Sequence, residues 1–315
     1  MSSIASKRLI VLGGKGGVGR TTVGAALALA LARRGRRVLL AQTNAKERLS
    51  KLLGTSPVGP DLMRVRENLW AVNMNPNAAL REYGIMVLKY ETVYRAVLEN
   101  RIMKYFVHAI PGLDEYSMLG KVWYHTTEEQ ALGEPRFHTV ILDGPATGHL
   151  VSLLRIPQAI LSAVPDSPLV RDARLANELL TDPLRTAVVL VTLAEDLPVN
   201  EVTELYQKVK SELRMNPARL VINQVWSDRF TKDGAPARVL AALEKATVPL
   251  DSVLEPLVAR AQTARKRRLL NQKYLEKLAA DVPLPQTRLP LCVSDDFGAP
   301  EVDMLSHLLE EEAVR

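Results

Sequence analysis

Nine consecutive residues, Gly14-Lys-Gly-Gly-Val-Gly-Arg-Thr-Thr22, have the types and spacing to hold a phosphate chain. The pattern is Gly-x4-Gly-Lys-Ser/Thr with one change, Arg20 in the place of the lysine. Gly16, Gly17 and Gly19 let the backbone curl so that several N–H groups converge on one anion. The expected phosphate-binding set is Gly14, Lys15, Gly16, Gly17, Val18, Gly19, Arg20, Thr21 and Thr22. Before it, Arg8-Leu-Ile-Val-Leu-Gly13 reads as a buried parallel strand, and after it the Ala/Leu-rich stretch from Thr22 to Arg34 reads as a helix. The helix N-terminus adds the positive end of its dipole to the loop.

A second cluster is Val140-Ile-Leu-Asp143-Gly-Pro-Ala-Thr-Gly-His149. A carboxylate ending an apolar strand beside the phosphate loop is placed to hold Mg2+, directly or through water, with the Thr21 hydroxyl completing the shell. Gly144 and Gly148 give the following loop freedom to answer a γ-phosphate, and His149 is either structural or a coupling residue. After the second strand comes Gln42-Thr43-Asn44-Ala-Lys-Glu47, where NTPases of this layout often carry an aspartate that orients the attacking water. Asn44 can hold a water but cannot take its proton. Asn44 with Glu47 also matches a helix capping box, so a structural role is the competing expectation. Asn223, closing Arg219-Leu-Val-Ile-Asn-Gln224, can donate to and accept from an adenine edge.

The elements that must position these groups are apolar strands expected at 8–13, 37–41, 69–74, 137–142, 186–193, 218–223 and 288–293, separated by helical patterns. Alternation of that kind predicts an α/β fold, a doubly wound and mostly parallel sheet. Residues 76–134 and 233–280 are too long for single crossovers and are read as helices lying together on one side of the sheet as a subdomain. In the first, Leu80, Tyr83, Val87 and Leu88 form one stripe and Val93, Val97, Ile102 and Phe106 the next. A closing helix is expected over 299–313.

At 315 residues and 47% hydrophobic, the chain has material for one large domain. Nothing approaches a transmembrane span and residues 1–7 do not form a signal peptide, so a cytoplasmic protein is expected. Cys292 is the single cysteine, which excludes an intramolecular disulfide. The net charge of +6 is concentrated in Arg33, Arg34, Arg36 and Arg37 around Gly35, read as a helix C-cap, and in Arg265-Lys-Arg-Arg268. Few aromatics accompany either run, so no nucleic-acid surface is expected, and membrane contact is at most peripheral.

Lys15 is the signature lysine of the deviant P-loop ATPases, which include MinD and ParA. Within that group the chain resembles the ArsA family of anion-transport and tail-anchored-protein-targeting ATPases. Asp143-Gly-Pro-Ala-Thr-Gly-His149 is similar to the family's switch II, Ile110-Pro-Gly-Leu-Asp-Glu-Tyr116 to its helical segment and Val221-Ile-Asn-Gln224 to its adenine-side strand. The resemblance runs from about residue 7 to 310 and implies ATP and Mg2+, a dimer in which Lys15 reaches the partner's nucleotide, and a helical groove for a hydrophobic client. Met63, Met74, Met86, Met103 and Met118 lie in or near that region, where groove lining and ordinary core packing are both open. Departures are equally plain: the family's switch I aspartate aligns with Asn44 and its P-loop lysine with Arg20. With Cys292 alone, the multi-thiolate arsenite site is missing. The resemblance therefore implies a slow dimeric ATPase in which Lys15, Arg20 and Asn44 are the catalytic candidates. The alternative is a nucleotide-binding, catalytically impaired subunit paired with an intact paralogue.

Overall fold

The computed structural model describes residues 4–88, 113–130, 133–166, 168–245 and 251–314. Its first half runs β1 (Leu9–Gly13), α1 (Arg20–Arg33), β2 (Val38–Thr43), α2 (Leu49–Leu53), β3 (Met63–Arg66), β4 (Leu69–Met74) and α3 (Pro76–Leu88). Then come α4 (Leu113–Thr127), β5 (Thr139–Asp143), α5 (Thr147–Ala163), α6 (Pro168–Thr181) and β6 (Thr186–Leu193). The chain closes with α7 (Asp196–Ser211), β7 (Pro217–Val225), α8 (Ala235–Lys245), α9 (Leu254–Asp281), β8 (Gln286–Pro290) and α10 (Ala299–Leu309).

The eight strands form one sheet in the order β3-β4-β2-β5-β1-β6-β7-β8. All neighbours are parallel except the edge pair β3–β4. The fold is the α/β, mostly parallel architecture that the alternation of strands and helices predicts. β3 escapes the sequence reading because Met63-Arg-Val-Arg66 is short, half charged and only half buried, as an edge strand tolerates. The last strand starts at Gln286 and ends at Pro290, earlier than the apolar run at 288–293 indicates.

Two apolar layers cover the two faces of the sheet, and strand alternation decides which side chain joins which. Leu9, Val11, Leu39, Val140 and Leu142 meet α4, α5, α6, α7 and α9 on one face. Ile10, Leu12, Val38, Leu40 and Ile141 meet α1, α2 and α10 on the other. Every residue of α1 from Val23 to Ala32 is buried, because the sheet lies on one side and α10 packs on the other. That explains an apolar helix without a polar stripe.

Gly35 follows α1 in the left-handed region, with φ of 74°, and its N–H reaches Ala32 O at 2.9 Å, the C-cap read from the sequence. The arginines around it are spent locally: Arg33 pairs with Asp303, Arg34 with Glu310, and Arg36 donates to Thr139 Oγ1 at 2.9 Å. In the second basic run, within α9, Arg265 forks onto Glu244 of α8 at 2.7 and 2.9 Å. The helical additions appear as an α3–α4 pair and an α8–α9 pair. Val93, Val97, Ile102, Phe106, Met103 and the first part of Ile110–Tyr116 lie outside the described residues. Met74 and Met118 are core residues and Met63 is half buried, so those three serve packing.

Candidate functional site

The register of three central strands builds the site. β5 lies between β2 and β1, with Asp143 level with Gln42 on one side and Leu12 on the other. Gln42 and Asp143 share the parity of Leu40 and Ile141, so both project at the α1 face, where the first turn of α1 arrives. Thr21 Oγ1 donates to Asp143 Oδ2 at 2.6 Å, and Gln42 Nε2 donates to the same oxygen at 2.8 Å. Asp143 and Gln42 are nearly inaccessible, at 4% and 1% exposure, and Gln42 Oε1 has no hydrogen-bond partner. Gln42 is a member of this cluster that the sequence reading missed; an amide ending a buried strand is its only local signal.

The phosphate loop runs from β1 into α1 with Gly17 and Gly19 both at φ of 88°. Two of its glycines are sterically obligatory. A Cβ on Gly14 would stand 2.2 Å from Val191 O, and one on Gly19 would stand 2.3 Å from Asn223 Nδ2. α1 begins at Arg20, two residues before the sequence reading places it, so Arg20 and Thr21 form its first turn. Gly19, as N-cap, offers no side chain to the free N–H groups of that turn, which leaves them for an anion.

Arg20 does not stand free in the loop. Its Nη1 donates to Gly144 O at 2.6 Å and also to Pro145 O, in the segment that follows β5. Burial pushes the guanidinium below its ordinary range, and the Asp143 carboxylate works against that. Lys15 Nζ is paired with Glu201 Oε1 of α7 at 2.5 Å, with both side chains about one third exposed.

Asn44 overturns the capping-box expectation. It adopts φ of 45° and donates its main-chain N–H to Met74 O at 2.6 Å, and the helix starts only at Leu49. Glu47 does the local capping instead, accepting Ser50 N–H at 2.8 Å and Ser50 Oγ–H at 2.6 Å. Burial raises the Glu47 pKa, but bonds from Ser50 and Val58 outweigh it and hold the group below the usual carboxylate value. The segment after Asp143 is also shorter than expected, because α5 starts at Thr147 and takes in Gly148 and an exposed His149. Gly144 serves packing, since a Cβ there would come within 2.7 Å of Leu150 Cδ1.

A cavity of about 550 Å³ opens over the loop, lined by Gly17, Gly19, Arg20, Thr21, Arg48 and Lys51 among others. Arg48 and Lys51 went unread in the sequence; Lys51 is paired with Asp296, and Glu47 lines the same opening. A neighbouring cavity of about 240 Å³ shares Thr22 and Phe297 with it and is lined by Asn223, Gln224 and Cys292. Asn223 is 4% exposed; it donates to Val18 O at 3.0 Å and accepts Gln224 N–H at 2.9 Å, which ties the loop to β7. Each half of the amide keeps one further hydrogen-bonding position.

The anion-transporting ATPase family model matches residues 7–165, just over half of the chain, and takes in the phosphate loop, Asp143 and α5. The chain belongs to the ArsA family of ATPases. Among its relatives, ATPase BagA of Mycobacterium tuberculosis is 26% identical over 71% of this chain, which corresponds to 66% of BagA, just under two thirds of its length. ATPase GET3 of Kluyveromyces lactis is 27% identical over 70% of this chain and 73% of its own length. The arsenical pump-driving ATPase of Acidiphilium multivorum is 27% identical over 95% of this chain, but only 53% of that protein is spanned. No described helix is long and apolar enough to cross a membrane.

The ArsA-family site fits a nucleotide with magnesium on its own geometry. The glycine cradle leaves no room for a Cβ at Gly14 or Gly19, and the donors beside it are hard oxygens. Among the described residues, no three His, Cys, Asp or Glu side chains gather as an all-protein metal cage. One carboxylate and one hydroxyl, completed by phosphate oxygens and water, is the donor set magnesium prefers.

Proposed function

We propose that this ArsA-family chain is a nucleotide-operated dimeric switch that binds Mg–ATP and turns it over slowly in the cytoplasm. The observation that carries the reading is the 2.6 Å bond to the Asp143 carboxylate from Thr21, a residue that lines the cavity over the glycine loop. The loop amides and Arg20 hold the phosphates, Thr21 and Asp143 take the metal, Asn223 meets the adenine, and Asn44 positions water without accepting its proton. Bound magnesium would neutralise charge developing on the phosphates. Lys15 leaves Glu201 to act on the nucleotide of a second subunit. The helices within 76–134 and 233–280 form the client-facing subdomain. Val239, Leu257, Leu269 and Leu270 are exposed there, which supports a hydrophobic client.

A second reading is favoured by two observations together: Arg20 is engaged by main-chain carbonyls, and the sequence has Asn44 where the family resemblance implies an aspartate. On that reading the chain is a catalytically impaired subunit that binds nucleotide and pairs with an intact paralogue. One paired measurement separates them: ATP affinity and steady phosphate release for the native protein beside an Arg20→Lys, Asn44→Asp double variant. Slow steady turnover by a self-paired native dimer supports the first reading. Tight binding without turnover, with hydrolysis gained by the double variant, supports the second. Absence of ATP binding in both proteins sinks the two readings together.

A further inference from the structure

We propose that Arg20 is a two-sided strut that keeps hold of the segment after β5 while its remaining donors take the phosphates, so that one side chain carries nucleotide occupancy into α5. The inference rests on the nucleotide reading above and concerns how the site signals rather than what it binds. Both carbonyl bonds use Nη1, and Arg20 also lines the larger cavity. A guanidinium spreads five N–H donors over three nitrogens in a rigid plane, so one edge can stay on carbonyls while Nε and Nη2 meet an anion. An ammonium at this position has all its donors on a single atom and must divide them between the two.

The path onward is short and tightly packed. Gly144 lies against Leu150, so close that a Cβ would come within 2.7 Å of Leu150 Cδ1, and Leu150 is fully buried on the face that α5 shares with the sheet. Leu150 N–H donates to Ala146 O at 3.0 Å, which makes the residue after Pro145 the start of the helix. No side chain caps that N-terminus, since Ala146 stands at the N-cap. Fixing the carbonyls of residues 144 and 145 therefore fixes the first turn of α5. Interfaces so closely packed respond by moving as units rather than by deforming.

The test is hydrogen exchange of the amides from Thr147 to Leu154 in native protein, Arg20→Lys and Arg20→Met, each free and with saturating Mg–ADP, beside titration calorimetry. In the free state the native amides are expected to exchange about tenfold more slowly than those of Arg20→Met. Mg–ADP is expected to slow them further in native protein and to leave them unchanged in both variants, although Arg20→Lys still binds. Equal exchange in native protein and folded Arg20→Met overturns the strut. Should Arg20→Met fail to fold, Arg20→Lys decides: nucleotide-dependent slowing equal to that of native protein overturns the proposal, and its loss supports it. Calorimetry separates two failures. No heat from native protein sinks the nucleotide reading and the coupling with it, whereas heat without a change in native exchange overturns the coupling alone.

Discussion

The two ends of the central strands both carry arginines bonded to main-chain carbonyls, and they do opposite work. At the N-terminal ends, Arg8 donates to Phe137 O at 2.6 Å and to Thr126 O, Arg36 to His138 O at 3.1 Å, and Arg37 to Arg136 O at 3.0 Å and Pro135 O at 2.7 Å. Burial pushes Arg8 and Arg36 below their ordinary range, and the Arg8 charge lowers Arg36 further. Both guanidiniums rest on carbonyl dipoles, and Arg36 also donates to the Thr139 hydroxyl. At the C-terminal ends, Arg20 has the same kind of partners but also a nearby carboxylate, Asp143, and a cavity beside it. At the N-terminal ends the carbonyl-bonded arginines close the sheet, whereas the same bond beside the cavity fits the ligand proposed for Arg20.

The largest effect expected from that contrast is on stability at the closed end. Arg8→Ala strands carbonyls that Arg8 now satisfies and should cost about 2–3 kcal/mol, read by chemical denaturation, with nucleotide affinity unchanged. A matching loss of affinity would break the contrast by showing that the two ends are coupled.

A smaller effect is the pH dependence of the same closed end. His125 is held below the ordinary histidine value by burial, against Glu128, which raises it, while Lys121 and Arg136 lower it. His138 is lowered by burial and then by Arg37, Arg36 and Arg8, and its Nδ1 accepts the Arg37 N–H at 2.9 Å. Both rings are therefore harder to protonate folded than unfolded. Their stabilisation is complete above the unfolded value of about 6.5 and is lost as pH falls below it toward the folded values. Thermal midpoints measured between about pH 8 and 5 should fall on the acid side, and His138→Gln should flatten part of that fall. A midpoint that rises as the pH drops would contradict the assignment.

The smallest effect belongs to the Lys15–Glu201 pair, which is partly exposed. Glu201→Gln should change stability by less than about 0.5 kcal/mol. A markedly larger loss would mean that the pair holds the loop shut rather than resting beside it.

The fold and the polypeptide path of the site were legible because they are local. Arg8 to Gly13, the glycine run and the apolar helix behind it are contiguous, and the Asp143 strand announces itself by the same apolar pattern. The Asn44–Glu47 spacing misled, because a capping box specifies only a possible bond, and the helix that would use it starts at Leu49, where Glu47 serves Ser50. β3 was invisible because an edge strand with one partner needs little apolar surface.

By itself, the sequence determined the parallel sheet, the glycine loop between β1 and α1, and the carboxylate at the end of β5. Burial periodicity and backbone permissiveness act over a few residues. Only the tertiary structure decided what those groups touch: Arg20 on the carbonyls of Gly144 and Pro145, Gln42 on Asp143, Lys15 on Glu201. The partners lie 124, 125, 101 and 186 residues apart in the chain. Strand order and register alone bring Gln42 level with Asp143, and no local pattern encodes a register between strands a hundred residues apart.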